Sequence, residues 1–133
     1  MSITFHFNRK HRLITSIFDR LIDDTQFGQY VDELFVQTDR PPDFDEIVDL
    51  TTCDFSALSS GAIHSGSDTI ENSLKNFSTV AKTAIVAPGD LSFGLSRMYG
   101  VYNEHANETV RVFRTVEDAL RWLGRTEDAL VEE

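Results

Sequence analysis

The chain opens with two short segments whose apolar and polar residues follow the repeat of β-strands. Ile3, Phe5 and Phe7 alternate with polar residues, so they fall on one face of a period-2 pattern. Residues 13–18 form a second run rich in strand-forming residues, after a polar break at residues 8–11. We therefore predict an opening β-hairpin.

A helical repeat follows the hairpin. Its apolar residues recur at spacings of three, four, seven and eight: Phe27, Tyr30, Val31, Leu34 and Phe35. Asp23 or Asp24 can cap the start of this helix. Pro41 and Pro42 lie beyond it in a polar segment, where proline cannot continue a helix. The pattern predicts one helix with a single buried face, followed by a loop.

The middle of the chain alternates between strand and helix patterns. Residues 46–50 form a short apolar strand and residues 51–56 a segment rich in turn formers. A second helix is predicted after residues 59–61, with apolar positions at Ile63, Ile70, Leu74 and Phe77. Its helical propensity is low because it contains Gly66 and several serines.

The last third of the chain repeats this alternation. Residues 83–87 form a buried strand, and a helix follows the turn that begins at Pro88. Residues 110–113 form the last strand. Thr115 then caps a final helix, with Asp118 three positions later as in a capping box, and Gly124 ends it. The order ββαβαβαβα predicts an α/β protein with a mostly parallel sheet and helices packed on it.

Composition and charge narrow the functional classes. The 133 residues suit a single domain, residues 1–133, and we expect the acidic tail from about residue 126 to fray. The formal net charge of −10 argues against nucleic acid as a partner, because phosphate backbones attract basic surfaces. One cysteine and no long apolar segment favour a cytoplasmic protein without a disulfide, a signal peptide or a transmembrane segment.

Three segments in the last 50 residues carry a family resemblance. Residues 84–98 read AIVAPGDLSFGLSRM, and they are followed by residues 110–114 and 117–124. Together they resemble the SpoIIAA-like bacterial proteins, which are related to STAS and CRAL-TRIO domains. The resemblance implies a right-handed βα superhelix on a mixed sheet of about five strands. Members are mostly uncharacterised, and apolar ligands, lipid surfaces or protein partners are the binding functions suggested for them.

The helix after Pro88 supplies the first candidate site. Phe93, Met98, Tyr99 and Tyr102 either pack in the core or line a cavity for an apolar ligand. Because the chain shows no catalytic, metal-binding or cofactor motif, our leading hypothesis is a non-enzymatic binding module. Its ligand would be an apolar small molecule or a membrane lipid. The protein would reach a membrane lipid by peripheral contact with the membrane.

The alternative hypothesis is a regulatory protein-interaction domain. An Asp-Leu pair at residues 49–50 precedes Ser59, Ser60 and Gly61, which is similar to the regulatory loop of anti-sigma-factor antagonists in the STAS family. There a serine at a helix N-terminus is phosphorylated. The acidic residue expected before that serine is replaced by residues 57–58, Ala-Leu. Plain helix capping is the simpler interpretation of these serines.

The remaining polar clusters have ordinary structural interpretations. The basic residues 9–12 suit a solvated hairpin turn, with contact to anionic lipid headgroups as the alternative. Asp39, Asp43, Asp45 and Glu46 lack the ligand spacing of a calcium loop and suit a solvated acidic surface. Cys53 suits a buried structural thiol. The aromatic helices and edge strands would also permit a homodimer.

Overall fold

Five strands form one mixed sheet, in the same order as they occur along the chain. The computed structural model describes residues 3–37, 41, 43–74, 81–90, 93–94, 96–97 and 108–132. The strands are β1 (Ile3–Asn8), β2 (Leu13–Leu21), β3 (Asp45–Asp54), β4 (Ala81–Val86) and β5 (Glu108–Phe113). β1 and β2 form the antiparallel hairpin, and the other neighbours pair in parallel. The predicted α/β class and opening hairpin are confirmed.

Three helices that the structure describes in full lie on the two faces of this sheet. They are α1 (Asp24–Asp32), α2 (Ser60–Leu74) and α3 (Val116–Leu123). A π-helical turn, Glu33–Gln37, continues α1, and a 3₁₀ turn, Glu127–Leu130, follows α3. Between β4 and β5, the described residues 90, 93–94 and 96–97 are helical, as the sequence predicts for the segment after Pro88.

The core is divided by the sheet into two layers. Right-handed crossovers that advance in one direction along a sheet place their helices on the same face. In agreement, α1 and α2 pack together over the larger cluster, which includes Phe18, Val48 and Ile85. α3 covers the opposite face, over a smaller cluster that includes Leu13 and Ile47. β3 is therefore a central strand that is covered on both faces.

The helix ends follow the predicted capping chemistry. Asp23 caps α1 and forms a reciprocal capping box with Gln26. Thr115 caps α3 by accepting a hydrogen bond from the amide of Asp118. Gly124 ends α3 in the left-handed conformation, with φ of 72°, which a residue without Cβ adopts at little cost. These three local predictions are confirmed.

The acidic tail is packed on the hairpin and differs from the expected frayed segment. The amide of Asn8, a fully buried side chain, donates to the carbonyls of Asp128 (3.3 Å) and Val131 (3.0 Å). Ala129 is fully buried beside α3. The expectation of fraying was wrong for the described residues up to 132, because partners more than 100 positions away in sequence hold the tail.

Strand β3 is longer than the sequence predicts. The turn-rich residues 51–54 continue the strand, because Thr52, Cys53 and Asp54 pair with the end of β2. The register shifts after the pair Ile17–Asp49, where β3 takes an extra residue before pairing resumes at Thr52. Pairing with a neighbouring strand has thus overridden the local turn preference.

Candidate functional site

An apolar groove lies between the sheet and the two helices α1 and α2. It encloses about 560 Å³ of empty space, including the part that is open to solvent. Ten of its described lining residues are apolar and four carry a hydroxyl or a carboxylate. They are Phe18, Phe27, Tyr30, Phe35, Glu46, Val48, Leu50, Phe55, Leu58, Ile63, Ile70, Thr83, Ile85 and Ser96.

Aromatic rings from β2 and α1 form one wall of the groove. Tyr30 meets Phe18 edge to face, with ring centroids 4.9 Å apart, and Phe27 lies 6.4 Å from Tyr30. α2 comes close to this wall at Gly66, where a Cβ atom would stand 2.6 Å from the ring of Phe27. The glycine that lowers the helical propensity of α2 therefore allows the close approach of the two helices.

A carboxylate lies in the mostly apolar wall that the sheet contributes to the groove. Glu46 is 1% exposed, and its Oε2 accepts hydrogen bonds from the hydroxyls of Tyr30 (2.5 Å) and Ser16 (2.7 Å). The Tyr30 hydroxyl also lies 3.1 Å from Ser16 Oγ. Thr83 is the register partner of Glu46 on β4 and lines the same groove. We call Ser16, Tyr30 and Glu46 the carboxylate cluster.

The alternation of β3 explains why Glu46 faces the groove. Glu46, Val48 and Leu50 share one face of the strand and line the groove, as period-2 geometry requires. Asp45, one position earlier, forms a 2.6 Å ion pair with Arg125 and accepts from the amide of Lys82. Of the acidic residues predicted to form a solvated surface, Glu46 is buried instead, and Asp39 lies outside the described residues.

Only one of the four predicted ligand-binding residues can be placed. Phe93 is half-buried, packs against the larger core cluster and lies under the guanidinium of Arg114, 4.0 Å from the ring centroid. It is not among the described residues that line the groove. Met98, Tyr99 and Tyr102 lie outside the described residues. Ser96, from the same segment, does line the groove.

The serines of the alternative hypothesis begin α2. Ser59 caps the helix by accepting from the amide of Ala62 at 3.1 Å. Its amide and hydroxyl both donate to the carboxylate of Asp24, at 2.7 and 2.8 Å. Both hydrogen bonds lower the pKa of Asp24 below its usual value, and the bond from the backbone amide of Ser59 has the larger effect. Ser60 and Gly61 are exposed.

The other candidate groups are engaged in structural contacts. Burial, and then the charges of Asp54 and Asp19, raise the pKa of Cys53 to about 12, so its thiol is a poor nucleophile at neutral pH. In the basic hairpin, Arg12 pairs with Asp43 at 3.2 Å and Arg9 lies over a phenylalanine ring. These contacts favour the solvated-turn interpretation of the basic residues.

No cluster of three or more metal-ligating side chains occurs among the described residues. Within the same part of the chain, no helix is long and apolar enough to cross a membrane.

Comparison with known proteins supports the fold assignment. No family model and no curated protein matches the sequence. Among solved structures, an uncharacterised DUF3478-family protein from Shewanella loihica PV-4, described as having a SpoIIAA-like fold, superposes with a TM-score of 0.58. The match covers 91% of each chain at 19% sequence identity.

The chain has a SpoIIAA-like fold. This confirms the resemblance seen in the last 50 residues and the predicted five-stranded mixed sheet. Nothing in the comparison supports the CRAL-TRIO part of that resemblance. At this identity the SpoIIAA-like neighbour informs the architecture alone, so the function has to be argued from the groove and its side chains.

The sequence pointed to the helix after Pro88, whereas the described groove is built mainly by the sheet, α1 and α2. Phe27, Tyr30 and Phe35 were predicted as one helix face, but nothing in their spacing separates groove-lining residues from ordinary core. The position of Glu46 in phase with Val48 and Leu50 is the one local signal that could have placed a carboxylate in the groove.

Proposed function

We propose that the protein is a non-enzymatic binding module for an apolar small molecule or a membrane lipid. The groove between the sheet, α1 and α2 carries this proposal. Small-molecule sites are typically clefts with mostly apolar walls and a few placed polar groups. The groove has this composition, because ten of its fourteen described lining residues are apolar.

The chemistry of the walls favours a hydrocarbon portion in the ligand. Each methylene that the groove removes from water contributes about 0.8 kcal/mol, and association costs at least about 4 kcal/mol in lost freedom. A chain of eight to ten carbons, worth roughly 6–8 kcal/mol by the same measure, would therefore bind weakly. The net gain of about 2–4 kcal/mol corresponds to dissociation constants of about 1 mM or weaker.

A neutral fluorescent probe tests the proposal. N-phenyl-1-naphthylamine brightens in apolar surroundings, and we expect it to bind the protein saturably and to be displaced by 1-octanol. Leu58→Trp places a larger side chain in the groove wall and should weaken binding at least tenfold. Leu21→Trp is the matched control, because Leu21 is 51% exposed and does not line the groove.

Both variants should melt cooperatively close to the wild-type temperature. Equal probe binding by the wild type and Leu58→Trp would contradict the proposal, and so would the absence of saturable binding in the wild type.

The alternative, an interaction domain switched at a serine, is supported by the exposure of Ser59 and Ser60 at the start of α2. A phosphate at a helix N-terminus would meet unpaired amides. At Ser59 it would also meet the carboxylate of Asp24, 2.8 Å from the hydroxyl, and like charges at that distance repel. A phosphate-sized mass increment mapped to Ser60 in protein isolated from cells would favour this alternative over the groove.

A further inference from the structure

Strand β1 forms one edge of the sheet and presents backbone amides and carbonyls along that edge. β2 pairs with one side of β1, and within the described part of the chain no strand pairs with the other side. A free edge can bind a further strand, and natural proteins protect such edges with charged residues, proline or bulges. The free side of β1 is therefore a position where a second strand can add to the sheet.

β1 has none of these protective features. Residues 3–8 read ITFHFN, without lysine, arginine, an acidic residue or proline. Their six pairs with β2 follow one another without a shift of register, so no bulge twists the edge away. By contrast, β5 at the opposite edge of the sheet carries Arg111, which is exposed. β1 is thus the less protected of the two edges.

The apolar side chains of β1 are held in place but incompletely covered. Ile3, Phe5 and Phe7 lie on the face of the sheet that carries the larger core cluster. The ring of Phe5 meets Tyr30 edge to face, with ring centroids 6.3 Å apart. The ring of Phe7 meets Phe44 in the same way at 6.0 Å. Phe5 and Phe7 nevertheless stay half-buried, so apolar surface remains along the free edge.

The pattern of β1 is complementary to itself. In an antiparallel pair centred on Phe5, Ile3 of one copy lies opposite Phe7 of the second copy. Thr4 lies opposite His6 on the other face. Apolar residues therefore meet apolar residues and polar residues meet polar ones, which is the arrangement that stabilises neighbouring strands. The same pairing covers the part of both phenylalanine rings that the single chain leaves exposed.

The charges near the two ends of β1 favour the antiparallel orientation. The hairpin turn after β1 holds Arg9 and Lys10, both exposed. The first residue of β1 pairs with the end of β2, where acidic residues outnumber basic ones in the segment that leads into α1: Asp19, Arg20, Asp23 and Asp24. Antiparallel pairing sets the basic end of each copy about two strand spacings, or about 10 Å, from the acidic end of the other. Charges interact over that distance at about 0.1 M salt, whereas parallel pairing would set like ends together.

We propose that β1 is a self-association edge, through which two copies of the chain pair as antiparallel strands about a two-fold axis and join their sheets. The pairing uses the free β1 edge of both copies, so it gives a closed dimer. A pair of six-residue strands is a small interface, and small interfaces belong to weak complexes. We expect a dissociation constant of about 10–100 µM.

Sedimentation velocity over about 5–500 µM protein measures this association. The average mass of the wild type should rise from 15.1 kDa toward twice that value. Thr4→Lys adds a charge at an exposed position of β1, and in the pair the two lysines would lie within about 8 Å of each other. It should weaken association at least about tenfold. Thr109→Lys is the matched control, because it makes the same change of charge at an exposed position of β5, and it should leave association unchanged.

Hydrogen exchange of the wild type tests the interface without a substitution, so the proposal stays testable even if Thr4→Lys fails to melt cooperatively. Amides of residues 3–8 should exchange more slowly at about 500 µM than at about 5 µM protein, whereas those of β5 should exchange equally at both. A wild type that stays monomeric over the whole range would overturn the proposal. A dimer that Thr4→Lys weakens no more than Thr109→Lys does, or species larger than a dimer, would overturn it as well.

Discussion

Replacing Tyr30 with phenylalanine removes one hydroxyl from the carboxylate cluster and leaves the ring in place. The ring keeps its edge-to-face contact with Phe18, at a centroid distance of 4.9 Å, and its place in the groove wall. Glu46, 1% exposed, loses the donor that lies 2.5 Å from its Oε2. The substitution therefore removes the donor of a hydrogen bond to a buried carboxylate, together with the contact of the same hydroxyl with Ser16 Oγ.

The magnitude follows from the charge of the acceptor. Hydrogen bonds to charged groups contribute about 1.5–3 kcal/mol, against about 0.5–1.5 kcal/mol for neutral pairs. Because the carboxylate has little access to water, we expect Tyr30→Phe to lower the free energy of unfolding by roughly 2 kcal/mol. In a Glu46→Gln background the acceptor is neutral, and the same substitution should cost only about 1 kcal/mol.

Urea denaturation of the four proteins in this double-mutant cycle measures both values. The midpoints should shift while the dependence of the unfolding free energy on urea stays constant. The difference between the two backgrounds is the coupling between Tyr30 and the charge on Glu46. If Tyr30→Phe lowered the free energy of unfolding by less than about 0.5 kcal/mol in the wild-type background, the assignment of Glu46 as a charged acceptor would be refuted. The same conclusion would follow if Tyr30→Phe had the same cost in the wild-type and Glu46→Gln backgrounds.

Three further substitutions or reactions test other parts of the structure. Gly66→Ala should destabilise the protein, because the Cβ of the alanine would meet the ring of Phe27, although alanine favours helices over glycine by about 1 kcal/mol. Gly61→Ala is the control, because its Cβ has room, and it should cause no loss of stability. Equal melting temperatures for the two variants would contradict the close packing of α2 against Phe27. Thr15→Val should raise the free energy of unfolding by about 1 kcal/mol, as measured by urea denaturation, because the buried Thr15 hydroxyl has no hydrogen-bond partner among the described residues. A lower free energy of unfolding would show that the hydroxyl has a hydrogen-bond partner. Cys53 should react with iodoacetamide at pH 8 far more slowly in the folded protein than in the urea-unfolded protein. Its raised pKa leaves little of the reactive thiolate in the folded state. Equal reaction rates in the two states would contradict the burial of the thiol.

Local sequence signals were sufficient where neighbouring residues decide the structure. Asp23 with Gln26, Thr115 with Asp118, and Gly124 mark helix ends through contacts within a few residues. The buried stripe of α1 follows from its helical spacing. These features depend on contacts that a sequence window contains.

Features that depend on distant partners could not be predicted in the same way. The tail is held by Asn8 across more than 100 positions, and residues 51–54 form strand because β2 lies beside them. Glu46 and Asp49 are both in phase with apolar residues on a strand covered on both faces. Periodicity alone therefore does not say which acid is buried, and the hydroxyls that satisfy Glu46 come from β2 and α1.

A crystal structure of the protein grown with saturating 1-octanol would test the central claim most directly. The account predicts electron density for the alkyl chain between the sheet, α1 and α2, against the apolar residues that line the groove. A groove that stays empty while 1-octanol binds elsewhere on the protein would contradict the account.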